Sequence, residues 1–299
     1  MTRRLSGIRP GRALSGAAHQ ARSRGVTLVE LVVVMTIIGL VAGLGATLVG
    51  RVVSAQQDTR GRLTLGLSAD AAMARVADDL YSALPNSVRV TSNAGGVWLE
   101  WVPVVDGGRW RAAVDTVAAG PGDPLDLSDA SDNSFDVIGT PVGTPAGTLV
   151  AGSQLVIQNL GTPEADAYAG SNRRSGVALL SAGRRVSFTA AGALPNSTGT
   201  QRFFLVATPL TLACVPVGGG VWELARYSGY GWLSGQPVSS ATLSGATRTL
   251  LLGGMSGCSA AYSTALANIG LVNLRYSMGT AGTAVKMDFM QQLSIENTP

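Results

Sequence analysis

The sequence has little of the side-chain chemistry that enzymes most often use. Among its 299 residues histidine occurs once, as His19, and cysteine occurs twice, as Cys214 and Cys258. The chain beyond residue 19 therefore cannot build a Ser-His-Asp or Cys-His nucleophilic site, and a zinc site is disfavoured for the same reason. Paired carboxylates remain possible in principle, but no pair stands in a distinctive context. We predict that the protein is not an enzyme.

Charged residues are also scarce, at 13% of the chain, and their distribution is uneven. The chain has 22 basic and 18 acidic residues, but six arginines and no acid lie within the first 25 residues. The remainder holds 16 basic and 18 acidic side chains, a formal charge of −2. This bulk charge gives no reason to expect nucleic-acid binding. A basic cluster before an apolar run indicates instead that the first residues stay in the cytoplasm and the rest is exported.

One long apolar run extends from Val26 to Val49. At about 1.5 Å per residue, a helix of this length crosses the ~30 Å hydrocarbon core of a bilayer. Glu30 is the only charged residue inside the run. A carboxylate left unpaired there costs about 2.5 kcal/mol or more, so Glu30 should have a partner. If the chain is cut after Gly25, the new α-amino group of Val26 lies at the same depth as Glu30 of a neighbouring copy, and the two charges could offset each other's desolvation.

The junction between the leader and this run resembles a known processing signal. An Arg-rich leader ends at Gly25, and Val26-Thr27-Leu28-Val29-Glu30 opens the apolar helix. This combination resembles the prepilin cleavage and methylation segment of type IV pilins and type II secretion pseudopilins. The resemblance implies a prepilin peptidase that cuts between Gly25 and Val26, N-methylation of Val26, and subunit assembly through Glu30. An ordinary signal anchor or secretory signal is the alternative, although a secretory core has only about 7 to 15 apolar residues and is cut after them.

Beyond Val49 the pattern is first helical and then typical of strands. An apolar stripe at spacings of three and four predicts an amphipathic helix that ends at Pro85: Leu65, Ala69, Met73, Val76, Leu80 and Leu84. Short alternating or apolar runs then predict strands over 97–103, 135–138, 154–158, 186–189, 202–208, 221–227, 271–278 and 285–295. We predict an α+β fold in which a long N-terminal α-helix packs its second half on a β-rich antiparallel head, as in pilins. Its parts are a leader (1–25), a transmembrane helix (26–49), an amphipathic extension (50–85) and a periplasmic head (86–299).

The two cysteines both fall in the exported part of the chain. In an oxidising periplasm Cys214 and Cys258 would form a bridge, worth about 4 kcal/mol in the chain-entropy model. Two free thiols, or half of a metal site, are the alternatives.

Two clusters are candidate ligand sites within the head. Five aspartates share one predicted loop and could bind calcium: Asp123, Asp126, Asp129, Asp132 and Asp136. Their spacing does not match an EF-hand, and a solvated acidic loop is the alternative, so we expect no cofactor other than this possible calcium. Tyr227, Tyr230 and Trp232 could form a platform for a sugar, or could fold onto the core.

Several head stretches, in order, resemble minor pilin-like proteins of the mannose-sensitive haemagglutinin (MSHA) pilus system: 83–89, 99–103, 134–137, 206–209, 226–230 and 256–258. This resemblance implies a role in pilus biogenesis, with major and minor pilins as partners, and a bridge between the two cysteines. Minor pseudopilins of type II secretion, of the J type, share the architecture and are the first alternative. A membrane-anchored periplasmic enzyme, binding protein or adhesin is the second. In the pilin interpretation the protein is a single-pass component of the bacterial inner membrane that later enters a pilus or pseudopilus.

Overall fold

The computed structural model of the protein describes residues 25–115, 122–143, 147–195, 199–266, 268–279 and 286–298. These residues form one long N-terminal helix and two antiparallel sheets of seven strands each. Contacts divide the chain into two units, Met1–Gln56 and Gln57–Pro299. The predicted α+β fold, a long apolar helix followed by an antiparallel β-rich domain, is confirmed.

Helix α1 runs from Leu28 to Tyr81 without a break. Every described residue of the first unit is exposed, including the large apolar side chains between Val26 and Val53. A window of 18 residues within α1 has a mean hydropathy of 2.5. Among the described residues, α1 is the one helix that is long and apolar enough to cross a membrane, which agrees with the predicted anchor.

The second half of α1 buries one face against the first sheet. Ala69, Met73, Val76 and Leu80 are buried and Leu65 is partly buried, as the apolar stripe predicted. Their partners on the sheet come from five strands that are spread along the domain: Leu99, Trp101, Leu212, Leu252, Val272, Leu293 and Ile295. The helix is therefore held by hydrophobic burial on the sheet rather than by helix propensity, which is weak.

The strands are β1 (Arg89–Asn93), β2 (Gly96–Trp101), β3 (Val104–Trp110), β4 (Ser134–Ile138), β5 (Gln154–Ile157), β6 (Arg173–Arg174), β7 (Ala178–Leu180), β8 (Arg185–Ser187), β9 (Arg202–Val206), β10 (Leu210–Gly218), β11 (Val221–Ser228), β12 (Thr247–Leu266), β13 (Ile269–Gly279) and β14 (Lys286–Glu296). The first sheet has the order β1-β2-β10-β11-β12-β13-β14 and the second β6-β5-β9-β3-β4-β8-β7. A short 3-10 helix, Ser181–Gly183, connects β7 to β8.

All eight predicted strands are present, with ends shifted by no more than two residues. Six strands were not predicted, among them β10 and the 20-residue β12. The hairpin predicted around 279–283 lies almost entirely outside the described residues. Its two strands, β13 and β14, do pair in an uninterrupted antiparallel register from Ile269 opposite Glu296 to Gly279 opposite Lys286.

Helix α1 ends at Tyr81, four residues before the predicted stop at Pro85. The backbone that follows pairs with the turn between β2 and β3 and leaves the helical path. The Leu84 amide donates to the Val102 carbonyl at 2.7 Å, and the Val104 amide donates to the Ser82 carbonyl at 2.7 Å. Tertiary pairing thus ends the helix before proline would do so.

The structure joins Cys214 on β10 to Cys258 on β12 by a disulfide, as expected, with 6.6 Å between the two Cα atoms. The bridge lies on the face of the sheet that packs on α1, beside Met73 and Leu224. It connects two strands that are separated by β11 in the sheet order. The cross-link therefore fixes the bent strand β12 to the middle of the sheet.

Replacing both cysteines by alanine is expected to lower the free energy of unfolding by about 4 kcal/mol, because the bridge closes a loop of 44 residues. Denaturant unfolding of the purified protein measures the difference. Reduction of the wild type should reproduce most of the loss, whereas an unchanged midpoint would contradict the assigned role of the bridge.

Candidate functional site

The start of helix α1 is fixed by Thr27. Its Oγ1 accepts the Glu30 backbone N–H at 3.2 Å, and its carbonyl accepts the Leu31 N–H at 3.1 Å. This is N-cap geometry, and Thr27 with Glu30 three residues later has the spacing of a capping box. Gly25 and Val26 consequently lie outside the helix. The predicted cut between Gly25 and Val26 therefore falls in non-helical backbone, just before the cap residue Thr27.

Glu30 lies in the first turn of α1 and is exposed. An acid at this position is favourable because the helix N-terminus carries partial positive charge. Among the residues that the structure describes, the Glu30 carboxylate has no hydrogen-bond or ion-pair partner. It is thus available to a cation supplied by another molecule.

Other polar side chains in the apolar part of α1 are satisfied within the helix. The hydroxyls of Thr36 and Thr47 donate to the carbonyls of Val33 and Leu44, each at 2.8 Å. Such internal bonds allow hydroxyl groups to enter lipid at low cost. Glu30 differs from them because its charge is not compensated inside the helix.

The apolar surface around Glu30 is continuous. Leu28, Val29, Leu31 and Met35 are each more than half exposed, and large exposed apolar side chains continue along the helix as far as Val53. A surface of this kind marks a membrane or protein contact rather than a face meant for water. The Gly25–Glu30 segment and this surface together form the candidate assembly site.

The aspartate loop does not converge on one point. Asp126 Oδ1 accepts from the backbone and hydroxyl of Ser128, and Asp129 Oδ1 accepts from Ser131 in the same way. Hydrogen bonds from the two serine hydroxyls lower the pKa of both carboxyls. Asp132 accepts the Asp126 amide at 2.7 Å. These carboxylates stabilise local turns, and the described residues contain no group of three or more His, Cys, Asp or Glu placed to hold a metal ion.

The remaining two aspartates of the set form an ion-pair cluster. Arg185 Nε donates to Asp136 Oδ1 at 2.7 Å and lies 3.6 Å from Asp123 Oδ2. The hydrogen bond from Arg185 lowers the pKa of Asp136. These contacts join the acidic loop to β8 across β4.

The aromatic residues of 227–232 fold onto the domain, as the alternative to a sugar platform predicted. Tyr227 is buried, and the guanidinium of Arg173 lies over the ring of Trp232 at 3.7 Å from its centroid. The Tyr230 hydroxyl donates to Glu100 Oε1 at 2.8 Å. One face of the Trp232 ring is therefore already covered.

Sequence reasoning missed a buried charge network centred on Glu100, whose side chain is fully buried on β2. Its Oε2 accepts from Arg89 Nε at 2.5 Å, and Arg89 also donates to the carbonyls of Leu233 and Ser234. Desolvation raises the pKa of Glu100, while Arg89 and Tyr230 oppose the shift. The only sequence signal was an acid inside an otherwise apolar strand. The network attaches the segment after β11 to the edge strand β1.

Comparison with known proteins gives one match at the N-terminus. Residues 20–46 match the family described as the prokaryotic N-terminal methylation motif. The search of curated proteins returned no significant match, and neither did the search of solved structures. The matched segment contains the predicted cut, the Thr27 cap and Glu30, and it covers the apolar run from Val26 as far as residue 46. The motif and the exposed apolar helix behind it support the assignment of this chain to the type IV prepilin-like proteins.

Proposed function

We propose that the protein is a minor pilin of a type IV pilus of the MSHA type, comparable to MshO. It is first held as a single-pass protein of the bacterial inner membrane with its head in the periplasm. A prepilin peptidase then removes residues 1–25, and the mature chain enters the pilus beside other pilins. The observation that carries this proposal is the Glu30 carboxylate, which has no partner among the described residues and lies three residues after a helix cap within the matched motif.

The geometry provides a simple assembly step. Cleavage after Gly25 creates an α-amino group on Val26, outside the helix and next to the Thr27 cap. N-methylation of that amine would keep its positive charge. When a neighbouring helix approaches, its Glu30 carboxylate and this cation neutralise each other in an apolar setting. The pair sets the axial register, and the exposed apolar residues of 28–53 supply the packing.

The size of the head supports a minor role. Two sheets and long connections follow the helix. A head domain this large and irregular would crowd the lattice of a filament if every subunit carried it. The MSHA-like stretches also cluster at structurally important points. The stretch 83–89 forms the helix exit and contains Arg89, and 99–103 contains Glu100. A pseudopilin of type II secretion would share the motif and the helix, and co-purified partners distinguish the two systems.

Cleavage is the direct test of this proposal. We expect Gly25→Val to retain residues 1–25, because a β-branched side chain would stand at the scissile bond, whereas the wild type should begin at Val26. The measurement is mass spectrometry of the amino-terminal peptide from membranes that contain an active prepilin peptidase. Gly45→Ala is the matched control, because nothing lies within 4 Å of a Cβ added there. A wild-type protein that keeps its first 25 residues beside an active peptidase would rule out the proposed function.

A further inference from the structure

A groove crosses one face of the second sheet, where β3 lies between β4 and β9. It consists of two adjoining cavities, of about 240 and 380 Å³, that share Arg202 and Phe204. The first reaches the end of helix α1 at Tyr81 and Pro85. The second is lined by Gly107, Gly108, Arg109, Ile138 and Thr140. We call the whole groove the arginine trough.

Gly107 keeps the floor of the trough open beside Phe204, its partner in the pairing of β3 with β9. A Cβ at Gly107 would lie 2.9 Å from the Phe203 carbonyl oxygen, so a larger residue would collide with β9. Gly108 faces the opposite side of the sheet, where a Cβ would lie 3.1 Å from the buried ring of Phe203.

The trough carries two arginines, and the described residues pair only one of them with an acid. Arg109 stands directly opposite Arg202 in the pairing of β3 with β9, so both guanidinium groups lie on one face. Like charges in that position are unfavourable. Arg202 lies 3.5 Å from the exposed carboxylate of Glu296. Within the described part of the chain, the guanidinium group of Arg109 has no hydrogen-bond or ion-pair partner.

Apolar side chains border the two arginines. Ile138 pairs with Arg109 across β3 and β4 and is 44% exposed, and Tyr81 at the other end is 65% exposed. Arginine combined with exposed aromatic and aliphatic side chains is typical of the energetically important part of a protein interface. The trough extends across several strands, which suits a peptide segment better than a single small anion.

We propose that the arginine trough is a docking surface for a protein segment that carries an aspartate or glutamate next to an apolar side chain. The carboxylate binds between Arg109 and Arg202 and relieves their repulsion, while the apolar side chain contacts Ile138 or Phe204. The segment belongs to the head of a neighbouring, different pilin-like subunit, and this assignment of the partner rests on the proposed function. The docking step itself depends only on the charges and shape of the trough.

The test uses the full-length protein in cells that assemble the filament. A photo-crosslinking amino acid replaces Ile138 at the rim. We expect an adduct with a second pilin-like subunit, whose crosslinked peptide contains an acid close to the attachment point. Arg109→Glu combined with Arg202→Glu should lower the adduct yield about tenfold, because two attractions become repulsions. Arg275→Glu, an exposed arginine on β13, is the matched control and should leave the yield unchanged.

A charge exchange decides between docking and a loss of folding. Changing the identified acid of the partner to arginine should restore the adduct of the Arg109→Glu, Arg202→Glu protein. A yield that the double substitution does not change, no restoration by the exchange, or an adduct with membrane lipid alone would overturn the inference. The amino terminus and filament content of the same cells are measured in parallel. A cleaved, incorporated protein without the adduct contradicts the trough alone, whereas an uncleaved protein contradicts the proposed function.

Discussion

Replacing Glu30 by glutamine is expected to leave the protein in the membrane and cleaved after Gly25, but to reduce its incorporation into filaments by about 100-fold. The variant keeps the size of the side chain and removes its charge. The α-amino group of the neighbouring Val26 then has no counter-ion in an apolar setting. Loss of one partner of a buried ion pair costs about 3 kcal/mol or more, which corresponds to this factor.

The measurement compares sheared filaments with membranes by quantitative immunoblot. Glu30→Asp retains the charge on a side chain one methylene shorter, so we expect partial incorporation from it. Thr27→Val serves as a second control, because it removes the cap at a cost of about 1 kcal/mol and leaves the carboxylate in place. Wild-type incorporation of the glutamine variant would exclude the ion pair as the assembly step.

The second large effect concerns the fold of the head. Glu100→Ala and Arg89→Ala are each expected to lower the free energy of unfolding by about 3 to 5 kcal/mol, since each leaves a buried or partly buried charge without its partner. Glu100→Ala also removes the acceptor of the Tyr230 hydroxyl. The segment that contains Leu233 and Ser234 should then separate from β1, which limited proteolysis would detect.

An apolar replacement of both charges provides the critical comparison. Arg89→Met combined with Glu100→Leu removes both charges, and we expect it to be more stable than either single alanine variant. The pair of Arg248 and Glu223, which is more exposed than the Glu100 network, is the matched control, because Glu223→Ala should cost less than about 1 kcal/mol. Denaturant unfolding of the purified mature protein measures all of these differences. Equal stabilities for the Glu100 and Glu223 variants would contradict the importance of the buried network.

Sequence patterns predicted the helix and the strands in which buried residues recur at a regular spacing. The apolar stripe of the helix and the alternation in 271–278 both reflect one face in contact with the core. Strand β12 was missed because glycine, serine and alanine dominate it and hide the alternation. That strand exists because β11 and β13 pair with its two edges. Strand β10 was missed because Pro209 and Pro216 interrupt an apolar run, although Pro216 lies near the end of the strand.

The two sites also differed in how far the sequence could predict them. The candidate assembly site from Gly25 to Glu30 consists of consecutive residues, so a single sequence is enough to recognise it. Glu100 acts through Arg89 and Tyr230, which lie 11 and 130 positions away in the chain. The same holds for Arg109 and Arg202, which only strand pairing brings together. Such neighbours depend on topology, and a single sequence does not specify it.

The arrangement of the first sheet has a consequence for the timing of folding. The apolar face of α1 between Ala69 and Leu80 is synthesised early, yet Leu293 and Ile295, which cover part of it, follow roughly 200 residues later in the chain. Until β14 has been synthesised, part of that apolar face has no strand to pack against. Completion of the head core is thus expected to be a late event, and both cysteines are present in the chain before β14 can enclose the helix.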